Sequence, residues 1–323
     1  MVFRICLFLL LSLSFFGFGS DQKPKPVSRE FVEGYLDTYY QFQEFEKLRA
    51  YYTENSVMED PVSDVRVVGG EQIIDSLKTA FGSFVYKFQR LHPLSAYTSA
   101  NGWVVVNSVT HFIVSDSEKP EQKPIQITCP GLVVLKVVEG KVLIHRDYPD
   151  YAYMDRQVAE QRPDQPSPKL KPPVSKDLLD SYLHAYFQFA EFEQLVHFYT
   201  EKTVFEAAPI DTVLTGNSAI LAGLTKAYDG MKFSTTDVYY LSRFRSREGW
   251  AVVNVIYSCE AVTTVPDGKT SGYFSVPMTL VLRFVDGKVV VHREYMDFKT
   301  VSHQMEAAQN SSARAPTVSL GHE

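Results

Sequence analysis

His145-Arg146-Asp147-Tyr148 returns 147 positions downstream as His292-Arg293-Glu294-Tyr295. At the same offset Tyr35, Tyr39, Phe42, Phe45 and Leu48 fall on Tyr182, Tyr186, Phe189, Phe192 and Leu195. Tyr52-Thr53-Glu54 falls on Tyr199-Thr200-Glu201, and Gly102-Trp103 on Gly249-Trp250. No gap is needed between residues 29 and 151 and their partners. An offset held constant for so long means two copies of one domain, not a solenoid of short units. It also supplies an internal control. Where one copy holds a carboxylate and the other an alanine, the fold cannot be what requires the carboxylate.

A chain of 323 residues has room for two ordinary domains, each with its own core. Its hydrophobic fraction of 45%, with 19 Tyr and 22 Phe, describes packed globular domains. The formal charge of −6 and the lack of a long basic stretch argue against nucleic acid as a partner. Residues 1–20 read as a cleaved signal peptide: Arg4, the apolar run Ile5 to Phe16, then Gly17-Phe18-Gly19-Ser20. The apolar run is too short to span a bilayer comfortably. The expectation is a secreted or periplasmic protein with no membrane association once the signal is removed. Cys129 falls on Val276 and Cys259 on Phe112, so no disulfide framework is shared by the copies, and both thiols are expected to be free.

Phe31, Tyr35, Tyr39 and Phe42 recur at helical spacing. A second helix is expected around Phe45, Leu48 and Tyr51 or Tyr52, and a third after Gly69-Gly70 through Ile73, Ile74, Leu77 and Phe81. From Val85 the pattern is extended. Val104–Val114, Ile125–Val138 and Val142–Tyr148 are rich in Val, Ile and Thr, as strands are. Glu139-Gly140-Lys141 and Asp286-Gly287-Lys288 are matching hairpin turns. Copy one is therefore placed at residues 28–157, a proline-bearing spacer at 158–175, copy two at 176–305 and a disordered tail at 306–323. The class is α+β: two tandem cone-shaped domains, each with three helices packed in a strongly curved antiparallel sheet.

Tyr52-Thr53-Glu54-Asn55-Ser56-Val57-Met58-Glu59-Asp60-Pro61-Val62, then Gly69-Gly70 and a helix, resembles the nuclear transport factor 2-like superfamily. So does Gly140-Lys141-Val142 running on to His145-Arg146-Asp147-Tyr148. That superfamily holds SnoaL-like polyketide cyclases, ketosteroid isomerases and limonene epoxide hydrolases. The resemblance covers both copies and implies the cone-shaped fold, while the scaffold carries many unrelated activities. It matches Asp60 to the isomerases' general base and Asp147 to a carboxylate of the epoxide hydrolases. The isomerase oxyanion tyrosine falls on Leu36, with Tyr35 and Tyr39 beside it. The isomerase's second acid falls near Gly131 to Val133, where there is none, and the hydrolase Arg and second Asp fall near Ser108 and Thr110. Neither set is complete. Such domains commonly dimerise through their sheets. Here a spacer that reaches roughly 50 Å lets the two copies pair within one chain as a pseudo-dimer.

Asp60 and Asp147 are the candidate catalytic pair, because two carboxyls in an apolar cone resist ionising together. In copy two Asp60 becomes Ala207 and Asp147 becomes Glu294, whereas Asp64 persists as Asp211 and fits a turn role. Strand alternation puts His145 on the face of Asp147, a candidate relay, although its retention as His292 also fits a structural hydrogen bond. Tyr35 and Tyr39 form a core stripe whose hydroxyls could reach a bound carbonyl. His111, replaced by Ser258 in copy two, is a further ligand-binding candidate, with its face left open by the register. No metal-ligand spacing, phosphate loop or nucleophile pattern calls for a metal or cofactor. Two readings stay open. Copy one binds a small apolar molecule, or it is an isomerase-, cyclase- or hydrolase-type enzyme with Asp60 as base, Asp147 as acid and a degenerate copy two.

Overall fold

A computed structural model describes residues 27–163 except 43, 83, 100 and 120, and residues 173–297 except 189–191, 228–230, 266 and 267, with 300, 303 and 304. The expected signal segment at 1–20, the expected tail at 306–323, residues 164–172 of the spacer and Phe189 lie outside the described residues.

Copy one runs helix α1 (Arg29–Tyr39), a 3-10 segment (Phe45–Ala50), strands β1 (Val57–Asp60) and β2 (Val65–Val68), and helix α2 (Gly70–Phe81). Strands β3 (Phe84–Thr98), β4 (Trp103–Asp116), β5 (Ile125–Val138) and β6 (Lys141–Pro149) follow, then helix α3 (Tyr151–Gln161). Copy two repeats the order as α4 (Lys176–Tyr186), a 3-10 segment (Phe192–His197), β7 (Val204–Ala207), β8 (Thr212–Thr215) and α5 (Asn217–Ala227). It ends with β9 (Met231–Arg245), β10 (Trp250–Val265), β11 (Gly268–Val285) and β12 (Lys288–Met296). The offset reaches the caps. Ser28 accepts from Phe31 N, and Ser175 from Leu178 N, each at 3.2 Å, satisfying a free amide of the first helical turn.

Each sheet has six strands, ordered β2-β1-β6-β5-β4-β3 and β8-β7-β12-β11-β10-β9. The architecture is α+β in two tandem domains, with three departures from the expected detail. The sheets are mixed, because β1 runs parallel to β6 and β7 parallel to β12. The second helical segment is a 3-10 turn. Helix α3 carries copy one four residues into the expected spacer. The reason for α3 is local. Strand β6 stops at Pro149, opposite Gly131, and leaves residues 125–129 of β5 without a strand partner on that edge. Gln157 and Gln161, one helical turn apart, supply the missing bonds. Each side chain both donates to and accepts from the β5 backbone, Gln157 at Thr128 (2.7 and 2.9 Å) and Gln161 at Gln126 (2.8 and 3.0 Å). Gln304 does the same at Ser275.

Trp103, Val104, Val105 and Val106 are all buried, although alternate strand residues face opposite ways. Both faces of the sheet are therefore covered. Val104 and Val106 pack with Tyr35, Leu48, Ile73 and Leu77 inside copy one. Trp103 and Val105 share a cluster with Trp250, Val252, Val281 and Tyr295 of copy two. Two-sided burial explains why the strands read as unbroken apolar runs. The hairpins are pinned by Gly102 (φ +87) and Gly249 (φ +75), where a Cβ would collide with the carbonyl oxygens of Val137 and Phe284. Gly102→Ala is expected to destabilise the fold by more than about 1 kcal/mol, read as a lower urea midpoint at unchanged slope.

Candidate functional site

Helix α1 sets Tyr35 and Tyr39 one turn apart, rings stacked at 6.1 Å, over the imidazole of His145 on β6. The Tyr35 hydroxyl lies 2.5 Å from that of Tyr52 and 2.8 Å from His145 Nδ1, and Tyr52 Oη lies 3.0 Å from the same nitrogen. On the other side of the ring His145 Nε2 is 3.1 Å from Asp147 Oδ1, and the Tyr39 hydroxyl donates to Asp147 Oδ2. Period-two alternation on β6 brings His145 and Asp147 to one face. Burial raises the pKa of Tyr35 and Tyr39 well above the usual range, the carboxylate of Asp147 adding to it for Tyr39. Both phenols are therefore kept as donors. One proton order consistent with these contacts runs from the tyrosines through His145 to Asp147, whose Oδ2 accepts from Tyr39.

Copy two rebuilds half of this. Tyr182 and Tyr199 hydroxyls lie 2.7 Å apart and 2.7 and 2.9 Å from His292 Nδ1, and Tyr186 donates to Glu294 at 2.5 Å. The link from imidazole to acid is missing. His292 Nε2 is buried without a hydrogen-bond partner among the described residues. The extra methylene of Glu294 keeps its bond to the tyrosine while the contact with the ring is lost. Burial lowers the pKa of His292 to about 3 and raises that of Glu294, the Tyr186 hydrogen bond partly offsetting the latter.

Asp60 ends β1, and its Oδ1 accepts from the backbone N–H groups of Val62 and Ser63, both at 3.1 Å. Its Oδ2 accepts from the hydroxyl of Tyr151, the first residue of α3, at 2.5 Å. Burial raises the pKa of Asp60. The Tyr151 hydrogen bond offsets part of that, and the charge of Asp147 adds to it. The two candidate carboxyls thus sense one another across the interior of copy one. Cys129 on β5 shares that environment: burial first, then Asp150, Asp147 and Asp60 affect its thiol, whose pKa is raised. Asp64 and Asp211 both adopt left-handed turn conformations (φ 57 and 49), as their persistence suggested.

The structure therefore gathers Tyr35, Tyr39, His145 and Asp147 into one network and sets Asp60 near it. His111 is a correction. Val104 and Val106 point inward, so His111 lies on the outer face with Val105, its Nδ1 3.1 Å from Thr128 Oγ1 and its ring 5.5 Å from His92. Asp147 is not a surface partner of Arg146, which points to the opposite face and to Glu59 and Glu206. Sequence reasoning missed Tyr52 and Tyr151. The signal for Tyr151 was present: its counterpart is Phe298, so its hydroxyl disappears in the same copy that loses the carboxylate of Asp60. Among the described residues no group of three or more His, Cys, Asp or Glu is placed to hold a metal ion, and no helix is long and apolar enough to cross a membrane.

No protein-family model matches the chain, and comparison with curated proteins finds no relative. Solved structures do match it. One is a protein assigned as a SnoaL-like polyketide cyclase from Shewanella putrefaciens, 26% identical, with a TM-score of 0.35 over 41% of this chain and 96% of that one. A second is an LEH-like epoxide hydrolase of M. tuberculosis, at 18% identity and TM-score 0.32, over 41% of this chain and 89% of its own. A third is a ketosteroid isomerase-like protein of Catenulispora acidiphila bound to trimethylamine, at 16% identity and TM-score 0.34, over 41% and 93%. The neighbours are SnoaL-like and ketosteroid-isomerase-like proteins. Each of the three matches covers 41% of this chain.

Proposed function

We propose that copy one binds a small, largely apolar molecule whose one polar group meets Asp60 and Tyr151, and that copy two has given up that role. One observation carries this reading. The Asp60–Tyr151 hydrogen bond and the His145–Asp147 link occur in copy one, while copy two has Ala207 and Phe298 in place of the first pair and an unlinked His292 in place of the second. The caps, hairpins and tyrosine network are kept in both, so the fold does not need what copy two has lost. Asp60 accepts from Val62 N, Ser63 N and the Tyr151 hydroxyl, and a ligand hydroxyl or amine would join or displace one of these donors. Phe112, Ile127 and Met154, packed together with Cys129, supply apolar surroundings nearby.

Asp60→Asn is the test. It keeps the shape and removes the charge, and charge-assisted hydrogen bonds are worth about 1.5–3 kcal/mol. For hits from a panel of small alcohols, amines and ketones found by native mass spectrometry, Kd should rise about tenfold or more. Equal affinity in the variant would sink the reading. The enzymatic alternative draws support from the raised pKa of Asp60, the property a general base needs. If a turnover is found and Asp60→Asn leaves it unchanged, the base is not Asp60. Export through residues 1–20 and pairing of the copies as a permanent unit complete the proposal. The cluster joining Trp103 and Val105 to Trp250, Val252 and Tyr295 supports the pairing.

A further inference from the structure

Copy two does more than accompany the site. Its β9–β10 hairpin reaches over to the start of α3 in copy one, where Tyr151 leaves the strand layer. Ser246, buried, accepts from Tyr151 N at 3.2 Å and donates to Pro149 O at 2.9 Å. Its neighbour Arg247 places its guanidinium 4.6 Å from the centre of the Tyr151 ring. The same guanidinium reaches Asp155, one turn along α3, with Nη2 at 3.1 and 3.2 Å from the two carboxylate oxygens. Tyr151 is thus gripped at its backbone and its ring by the other copy, while its hydroxyl holds Asp60.

The sequence does not repeat the side chains of this grip in the other direction. At the repeat offset Asp60, Tyr151, Asp155 and Arg247 correspond to Ala207, Phe298, Ser302 and Ala100. All four side chains differ, although they come from three separate stretches of the chain, whereas Ser246 keeps its counterpart Ser99. A structural hairpin contact would have no reason to vanish with a carboxylate in the opposite copy. A set that works as one unit would.

We propose that Arg247 of copy two is a positioning residue for the Asp60 site of copy one, so that the working site is composite and needs both halves of the chain. The physics is direct. A cation over a phenol ring is attracted by the ring's quadrupole. It also withdraws electron density and makes the hydroxyl a stronger donor to Asp60. The ion pair with Asp155, made by Nη2 alone, limits where the planar guanidinium can sit. The groups facing Asp60 are Tyr151 from α3, Ser63 from its own turn and Asp147 from β6. Arg247 acts on it through the first of these. The inference builds on Asp60 as the group that meets the ligand, yet its test needs no ligand.

The experiment follows the carboxyl carbon of Asp60 by NMR titration in the full chain, comparing wild type with Arg247→Ala, Arg247→Lys and Tyr151→Phe. Removing the Tyr151 donor should move the Asp60 midpoint upward. Arg247→Ala should move it in the same direction by a smaller amount, and Arg247→Lys, which keeps charge but loses the planar stack, should fall between alanine and wild type. The Arg247→Ala,Tyr151→Phe double variant should match Tyr151→Phe alone. An Asp60 midpoint unchanged in Arg247→Ala while Tyr151→Phe shifts it overturns the proposal, as does a double variant that adds the two shifts independently. Failure of the ligand tests above would leave these midpoints untouched, so the two readings fall separately.

Discussion

Arg146→Ala is expected to lower the stability of the whole chain by about 3–5 kcal/mol, the loss seen when one member of a buried ion pair is removed. Arg146 lies where the copies meet. Its Nε donates to Glu59 at 2.8 Å, and its Nη1 to Glu206 of copy two at 2.6 Å and to the Tyr295 hydroxyl at 3.1 Å. The set is reciprocal. Arg293 pairs with Glu206 at 3.2 Å, approaches Glu59 at 3.8 Å and donates to Tyr148. At the repeat offset Arg146, Glu59 and Tyr148 correspond to Arg293, Glu206 and Tyr295, so each side makes the other's contacts, as in a twofold dimer interface. Side-chain exposures of 9%, 16%, 18% and 14% for Arg146, Arg293, Glu59 and Glu206 leave little solvent screening. Without Arg146, two carboxylates share one guanidinium. Both copies should then lose stability in a single urea transition, because the cluster belongs to both. Replacing all four charged residues with apolar ones of similar volume should cost far less, since no charge is stranded. A loss below about 1 kcal/mol for Arg146→Ala would place these groups among exposed surface pairs and contradict the packing of the copies.

The offset made the fold readable. Helix spacing at Tyr35 and Tyr39, the long Val-rich strands and the Gly140 and Gly287 turns all marked elements that form where expected. What escaped was what depends on contacts between distant segments. Gln157 and Gln161 look like ordinary solvated residues until the bare edge of β5 is known, so the last four residues of α3 fall in the expected spacer. The parallel pairing of β1 with β6 has no local signature, because either partner direction suits a four-residue strand. His111 turned on a single-residue register, which reverses the face. For the site, the comparison of copies proved more useful than motif matching. It marked Asp60, and read at position 151 it would have marked Tyr151. Arg146 and Asp147 are adjacent in sequence and face opposite ways, one to the seam between the copies and the other to the tyrosine network. The difference between an Asp that reaches an imidazole and a Glu that does not is one methylene, below what a pattern of residue types resolves.

That methylene sets the second large effect, in copy two. His292 is fully buried, its pKa lowered from an ordinary 6.5 to about 3 by loss of solvent. A group with a lowered folded pKa takes up a proton more readily when unfolded. His292 therefore contributes its full share of stability above about pH 6.5 and loses it progressively as pH falls toward 3. At 1.36 kcal/mol per unit the whole loss is about 5 kcal/mol. Glu294 has the opposite sign. Its folded pKa is raised from 4.5, so its contribution is present at low pH and is lost as pH rises. Acidification thus recovers the Glu294 share until about pH 4.5, and below that Glu294 no longer opposes the His292 loss. Asp60, Asp150 and Asp155, also raised, share the sign of Glu294. Subtracting a variant separates them. In His292→Asn the side-chain oxygen can take the place of Nδ1 as acceptor for Tyr182 and Tyr199, while nothing is left to protonate. Urea midpoints of wild type and variant, measured from pH 7.5 to 3.5, should converge or cross as pH falls, because only the wild type pays for an imidazolium. Wild type should stand higher near neutrality and lose that lead by several kcal/mol over the range, at a slope no steeper than one proton allows. Two curves that stay parallel throughout would mean that His292 is solvated or finds a carboxylate on protonation, and that the separation of its Nε2 from Glu294 does not hold in solution.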